Sequence, residues 1–170
     1  MKNVLLFSIL CLIALNAQAQ GSTNEYVDLG LPSKTLWKTT NESGFYTGYN
    51  NVREQFGDQL PSKAQWQELM DYCKWSWNGN VCRVTGKNGN YISLPAAGYF
   101  DDYDERIIGA GEAGFYWSST DKNSGYAWYL FFGMDSKWDE RGNEKEVFTV
   151  RWDTRGKSYH YSVRLIKNRK

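Results

Sequence analysis

Phe115, Tyr116 and Trp117 stand between Gly114 and the hydroxyl run Ser118-Ser119-Thr120. Side chains alternate along a strand, so Phe115 and Trp117 face one way and Tyr116 and Ser118 the other. A segment apolar on both faces is covered on both, which predicts a central strand of the core. Helices from the first half of the chain are expected on one of its faces, and further strands from the second half. Tyr126 to Phe132 is another run of the same kind.

Upstream, Val27, Leu29 and Leu31 alternate with more polar neighbours, a strand closed by Pro32-Ser33, and Thr35-Leu36-Trp37 is a second short extended piece. Over residues 46–56 the period changes: Tyr49, Val52, Arg53 and Phe56 share a helical face, with Thr47 as cap and Gly57 as stop. The next helix is better marked. Ser62 caps it, Gln65 completes a capping box, and Trp66, Leu69, Met70 and Cys73 recur at i, i+3, i+4 and i+7 until it ends near Tyr72-Cys73.

The period then returns to two at Trp75 and Trp77. Cys82–Thr85 and Tyr91–Leu94 flank Gly86-Lys87-Asn88-Gly89-Asn90, which predicts a hairpin with an Asn-Gly turn. Residues 135–145 read as a charged, turn-like segment around Trp138. Phe148, Val150 and Trp152 alternate on one face of a later strand, and Tyr159 to Ile166 reads as the last. Helices placed early and antiparallel strands placed late predict an α+β domain.

The first 19 residues stand apart. Lys2 precedes a nearly continuous apolar run from Val4 to Ala14, and Ala17-Gln18-Ala19 is a small-x-small cleavage site, the pattern of a secretory signal peptide. The run is too short to span a bilayer, and Cys11 follows bulky Leu10, which does not suit lipidation. Residues 20–170 are expected to form one domain, exported to the periplasm, the cell surface or the medium, without membrane insertion.

The chain carries 20 basic and 19 acidic residues and a formal charge of +1, which becomes zero without Lys2. That balance argues against generic nucleic-acid binding. Charge is uneven along the chain: residues 135–170 hold 10 basic and 6 acidic groups, against 9 and 13 in residues 20–134. Cys73 and Cys82 are separated by eight residues, consistent with either a disulfide or two buried thiols.

The one histidine, His160, lies on the expected last strand with no nucleophile placed near it by any motif, so no catalytic residue is assigned. No cofactor is indicated. Asp101, Asp102, Asp104 and Glu105 form the one dense carboxylate cluster, a weak calcium candidate without the ligand spacing of a calcium loop. Trp138 and Trp152 are each embedded in charge, as Lys137-Trp138-Asp139-Glu140-Arg141 and Arg151-Trp152-Asp153. An exposed indole beside planar hydrogen-bonding groups suits stacking on a sugar or anchoring a protein interface. Trp138, Arg141, Arg151 and Trp152 are therefore the candidate ligand-binding residues.

Several motifs together resemble one family: Val27-Asp28-Leu29-Gly30-Leu31-Pro32-Ser33 with Trp37, Leu60-Pro61-Ser62-Lys63, Leu94-Pro95-Ala96-Ala97-Gly98-Tyr99, Tyr116-Trp117-Ser118-Ser119-Thr120 and Ser162-Val163-Arg164-Leu165. This is the Fibrobacter succinogenes major paralogous domain (FISUMP) family. The resemblance implies a C-type-lectin-like fold: two helices packed on a twisted antiparallel sheet whose terminal strands pair. Two departures stand out. The segment between Trp37 and Leu60 is shorter than in many members, and Cys82 replaces a usual aromatic, which favours a bridge to Cys73. The reactive cysteine pair of formylglycine-generating enzymes, which share that fold, has no counterpart in the C-terminal half. The expected function is non-enzymatic recognition of a glycan or a surface protein through the C-terminal strands and loops. An assembly subunit of a cell-surface complex is the first alternative and a formylglycine-generating type of enzyme the second.

Overall fold

The computed structural model describes residues 25–44 and 48–169. The expected signal peptide and Thr47, the expected helix cap, lie outside them. The described residues form eleven strands in four small sheets and two short α-helices. Strands β1 (Tyr26–Asp28) and β2 (Leu36–Lys38) precede helices α1 (Tyr49–Phe56) and α2 (Lys63–Tyr72). Then follow β3 (Lys74–Trp77), β4 (Val81–Thr85), β5 (Tyr91–Pro95), β6 (Tyr99–Asp101), β7 (Arg106–Ile108), β8 (Ala113–Asp121), β9 (Tyr126–Trp138), β10 (Glu144–Gly156) and β11 (Ile166–Lys167).

This corrects the α+β, lectin-like expectation in three respects. The domain is mostly β, divided among sheets ordered β1-β2-β11, β10-β9-β8, β3-β4-β5 and β6-β7 instead of one twisted sheet. The terminal strands do not pair: β1 and β11 each pair with β2, whose Trp37 is fully buried between them. The helices do not share a face. Tyr49 and Val52 of α1 pack with Trp117, Tyr129, Phe131 and Tyr161, whereas Trp66 and Leu69 of α2 pack with Tyr116, Leu130 and Phe132. An amphipathic stripe dictates that a helix buries one side, but not which side of a sheet receives it.

β8 and β9 are thus a wall between two cores, and the alternation at residues 115–118 is its signature. Tyr116 is buried in one core and Trp117 in the other, while Ser118 donates to the Trp128 carbonyl at 2.8 Å. β9, not β8, is the middle strand of its sheet. The outer edge of β8 is closed by the 159–165 segment, which is extended but makes only isolated bridges until Ile166: Trp117 N–H donates to the Ser162 carbonyl at 3.1 Å, and Ser162 N–H to that of Phe115 at 2.9 Å. Gly114 lies under Phe132, where a Cβ would overlap the ring.

The local signals around α2 hold in detail. The Ser62 hydroxyl accepts from Gln65 N–H at 3.2 Å, and Ser62 N–H donates to Gln65 Oε1 at 2.9 Å. β4 and β5 pair Cys82 with Leu94 and Val84 with Ile92. Their turn differs from an Asn-Gly turn: Gly89 N–H donates to the Gly86 carbonyl, so Lys87 and Asn88 are the central residues and Gly89 takes the left-handed conformation at φ 84°.

Cys73 and Cys82 are free thiols, which corrects the expected bridge. The β3–β4 register explains why. Lys74 is opposite Thr85 and Trp77 opposite Cys82, so Cys73 lies four positions from Cys82, roughly 13 Å along the ladder. A disulfide needs Cα atoms within about 7 Å.

Candidate functional site

β9 and β10 form an unbroken antiparallel ladder from Tyr126–Gly156 to Trp138–Glu144. β8 accompanies β9 only as far as Gly133, opposite Ala113. The last five pairs, Met134–Phe148 to Trp138–Glu144, therefore form a two-stranded arm about 17 Å long with no third strand. The sequence reading of 135–145 as a turn is corrected here, since the turn proper is residues 139–143. Beyond Phe148, which stacks on Trp77 at the base of the arm, the residues toward the tip are largely exposed, so the polar and apolar alternation that marks a strand is missing there.

The tip is pinned by one side chain. Asp139 Oδ1 accepts from Arg141 N–H at 2.8 Å and Asn143 N–H at 2.9 Å, and Oδ2 accepts from Asn143 Nδ2 at 3.2 Å. Hydrogen bonds from the Asn143 backbone and side chain, then from the Arg141 backbone, hold the Asp139 carboxyl below its usual range. Gly142 closes the turn at φ 77°. Trp138 stands beside this clasp, 70% exposed, with 42%-exposed Met134 on the same face of the strand. Among the described residues Arg141 has no carboxylate partner.

Arg151 and Trp152 are not part of this tip. Trp152 is opposite Leu130, eight positions from Trp138, or roughly 26 Å. It packs against the α2 core and donates its indole N–H to Gln67 Oε1 at 2.7 Å. Arg151 is on the other face, 4.2 Å from the Phe131 ring centroid, paired with Asp135 at 3.2 Å and Asp153 at 2.9 Å. Burial pushes the Asp153 carboxyl up, but Thr154 N–H, Arg151 and Tyr129 together hold it below its usual range. The four candidates thus divide into a tip pair, Trp138 and Arg141, and two structural residues.

The carboxylates of the β6–β7 loop also go separate ways. Asp101 Oδ1 accepts from Tyr103 N–H and Asp104 N–H, Asp104 pairs with Arg106 at 3.0 Å, and Asp102 is 3.1 Å from His160 Nε2. Glu105 has left-handed backbone at φ 48°. No group of three metal-ligating side chains converges among the described residues. His160 is buried and stacked on Phe100 with a centroid distance of 5.7 Å. Burial pushes the thiols of Cys73 and Cys82 up to about 11 and about 12, away from reactivity. No described helix is long and apolar enough to cross a membrane.

A second surface carries chemistry that the sequence reading missed. With Cys82, Val84, Ile92 and Leu94 turned inward, the other face of the β3-β4-β5 sheet presents Ser76, Arg83 and Ser93 in one cross-strand row. The Arg83 guanidinium lies 3.5 Å from the ring centroid of Tyr91. Period-two alternation in the hairpin was the available signal.

Neither the curated proteins nor the solved structures contain a match to the chain. Residues 73–166, more than half of the sequence and the stretch holding β3 to β10, match the family described as Domain of unknown function (DUF8237), and the chain belongs to that family.

Proposed function

We propose that this is an exported, non-enzymatic binding domain whose β9–β10 arm anchors a partner protein through Trp138 and Arg141. The observation that carries the reading is a 70%-exposed indole on a pinned turn at the end of a projecting two-stranded arm. Large exposed aromatics and arginines supply most of the energy at protein interfaces. A turn fixed before binding loses little conformational entropy when its side chains are buried. An exposed indole at the end of a two-stranded arm suits insertion into a partner's pocket better than enclosure of a small ligand. The raised pKa values of buried Cys82 and half-buried Cys73 and the packed histidine fit a non-catalytic role, and the apolar N-terminal segment and the FISUMP-like motifs support export.

The test is retention of the protein on an array of cell-surface proteins and glycans, compared with Trp138→Ala and Arg141→Ala. Both substitutions lie in the exposed tip and are expected to leave the melting temperature unchanged while abolishing retention on a protein target. Full retention by both variants overturns the reading.

A further inference from the structure

We infer that the outer face of the β3-β4-β5 sheet is a separate binding site for the carboxylate-bearing sugars of an acidic polysaccharide. The face holds an open cleft of about 400 Å³, within the range of about 300–1,000 Å³ typical of small-molecule sites. Its lining includes the hydroxyls of Ser76 and Ser93, the Asn78 amide, Trp77, Arg83 and Tyr91.

Trp77 is stacked on Phe148 against the core and only borders the cleft, but Arg83, Tyr91 and Asn78 have unused capacity. Among the described residues Arg83 has no carboxylate partner, and stacking on Tyr91 occupies one face of its guanidinium while leaving the edge N–H donors free. A planar fork held in place by an aromatic ring is prepared for bidentate contact with a carboxylate. Tyr91 is 48% exposed, so ring area remains for the apolar face of a sugar. The Asn78 side-chain oxygen already accepts from Asn80 N–H and Val81 N–H, which leaves its NH2 as a donor. Lys74 lies in the next row, opposite Thr85 and on the same face as Ser76, and adds a second positive charge along the path of a polyanionic chain.

The lining also favours a sugar over a peptide. The main-chain groups of β4, the middle strand, are spent on β3 and β5, so this face offers no ladder for an extended peptide. What it offers is hydroxyls, an amide, an aromatic face and one guanidinium, complementary to a ring that carries both hydroxyls and a carboxylate. A neutral sugar would leave the guanidinium unused.

Calorimetric titration of the full chain with a galacturonate hexasaccharide, a neutral hexasaccharide and a sulfated oligosaccharide tests the assignment. The uronate is expected to bind at least tenfold more tightly than the neutral sugar, with affinity falling as salt rises. Arg83→Gln, Arg83→Lys and Tyr91→Ala should each weaken uronate binding at least tenfold, the lysine variant because it keeps the charge and loses the fork. All three positions are on the surface, and an unchanged circular dichroism melt checks that each variant folds. Trp138→Ala should bind uronate like the wild type, which separates this site from the arm. Absence of uronate binding, equal affinity for the neutral sugar, preference for the sulfated one, or an Arg83→Gln variant that binds like the wild type would each overturn the inference.

Discussion

Trp66 donates its indole N–H to the main-chain carbonyl of Trp117 across 3.3 Å, so the first anchor of α2 is hydrogen-bonded to the wall it packs against. Its ring also lies 4.7 Å from that of Trp37 and 5.7 Å from that of Tyr116. Trp66→Ala empties a fully buried site and strands the Trp117 carbonyl, and is expected to cost about 3–5 kcal/mol. Urea melts of the two proteins measure it; a loss below about 1 kcal/mol would mean that α2 does not seal this core.

A buried arginine holds the other end of the same core. Arg164 is fully buried, and its Nε, Nη1 and Nη2 donate to Asn41 Oδ1 at 2.9 Å, the Lys38 carbonyl at 2.7 Å and the Ser93 carbonyl at 2.6 Å. Burial lowers its pKa to about 10, which still leaves it charged at neutral pH. Hydrogen bonds to a charged group are worth about 1.5–3 kcal/mol each, and a lysine ammonium cannot span the three acceptors. Arg164→Lys should therefore destabilise by at least about 3 kcal/mol, close to the effect of Arg164→Met. A lysine variant that melts like the wild type would refute this.

Both cysteines should alkylate after denaturation without reductant, giving two adducts by mass spectrometry even in protein recovered from an oxidising compartment. In the folded protein Cys82 should react far more slowly than Cys73, because it is fully buried and Cys73 is not. Recovery of a disulfide-linked peptide would show that the β3–β4 register differs from the one described.

The protein should be labile to alkali. Burial first, then the nearby Asp121 and Asp153 carboxylates, raises Tyr49 and Tyr129 from 10 to about 12; burial raises Tyr116 to about 12 against the opposing pull of Arg164, and raises Tyr161 further. Such a group binds its proton more tightly in the folded state. Its contribution is complete below the unfolded pKa and is lost as pH rises through the folded one. Cys73 and Cys82, raised to about 11 and about 12, act in the same direction from about pH 9. Arg164 acts in the opposite direction, but alone. The melting temperature should fall steadily between pH 9 and about 12, with tyrosinate absorbance rising in step with unfolding. A flat profile to pH 11 would contradict the burial of these phenols.

The sequence disclosed the features whose cause is local. Ser62 and Gln65 cap each other because of their spacing, and Phe115 to Ser118 divide between two cores because strands alternate. It did not disclose distribution in space. The stripe of Tyr49 and Val52 looks much like that of Trp66 and Leu69, yet the two sit on opposite sides of β8 and β9. Trp152 looked exposed because Arg151 and Asp153 flank it, but alternation sends both neighbours to the other face. Trp138 and Arg141 were legible as surface groups, whereas their separation from Arg151 and Trp152 depended on where the 139–143 turn sets the ladder register.

The wall between the two cores also determines the order in which the chain becomes foldable. β8, β9 and β10 are joined by short turns, so their contacts are local and cheap to close. Both cores also draw on the N-terminal third, as where Lys38 N–H reaches the Leu165 carbonyl at 2.9 Å. During synthesis α2 can meet Trp37 and the β4–β5 hairpin early, whereas α1 emerges before Trp117, Tyr129, Phe131 and Tyr161, the core residues it packs with. A polypeptide arranged in this way can seal its second core only when it is nearly complete, with α1 closing over the C-terminal hairpins last.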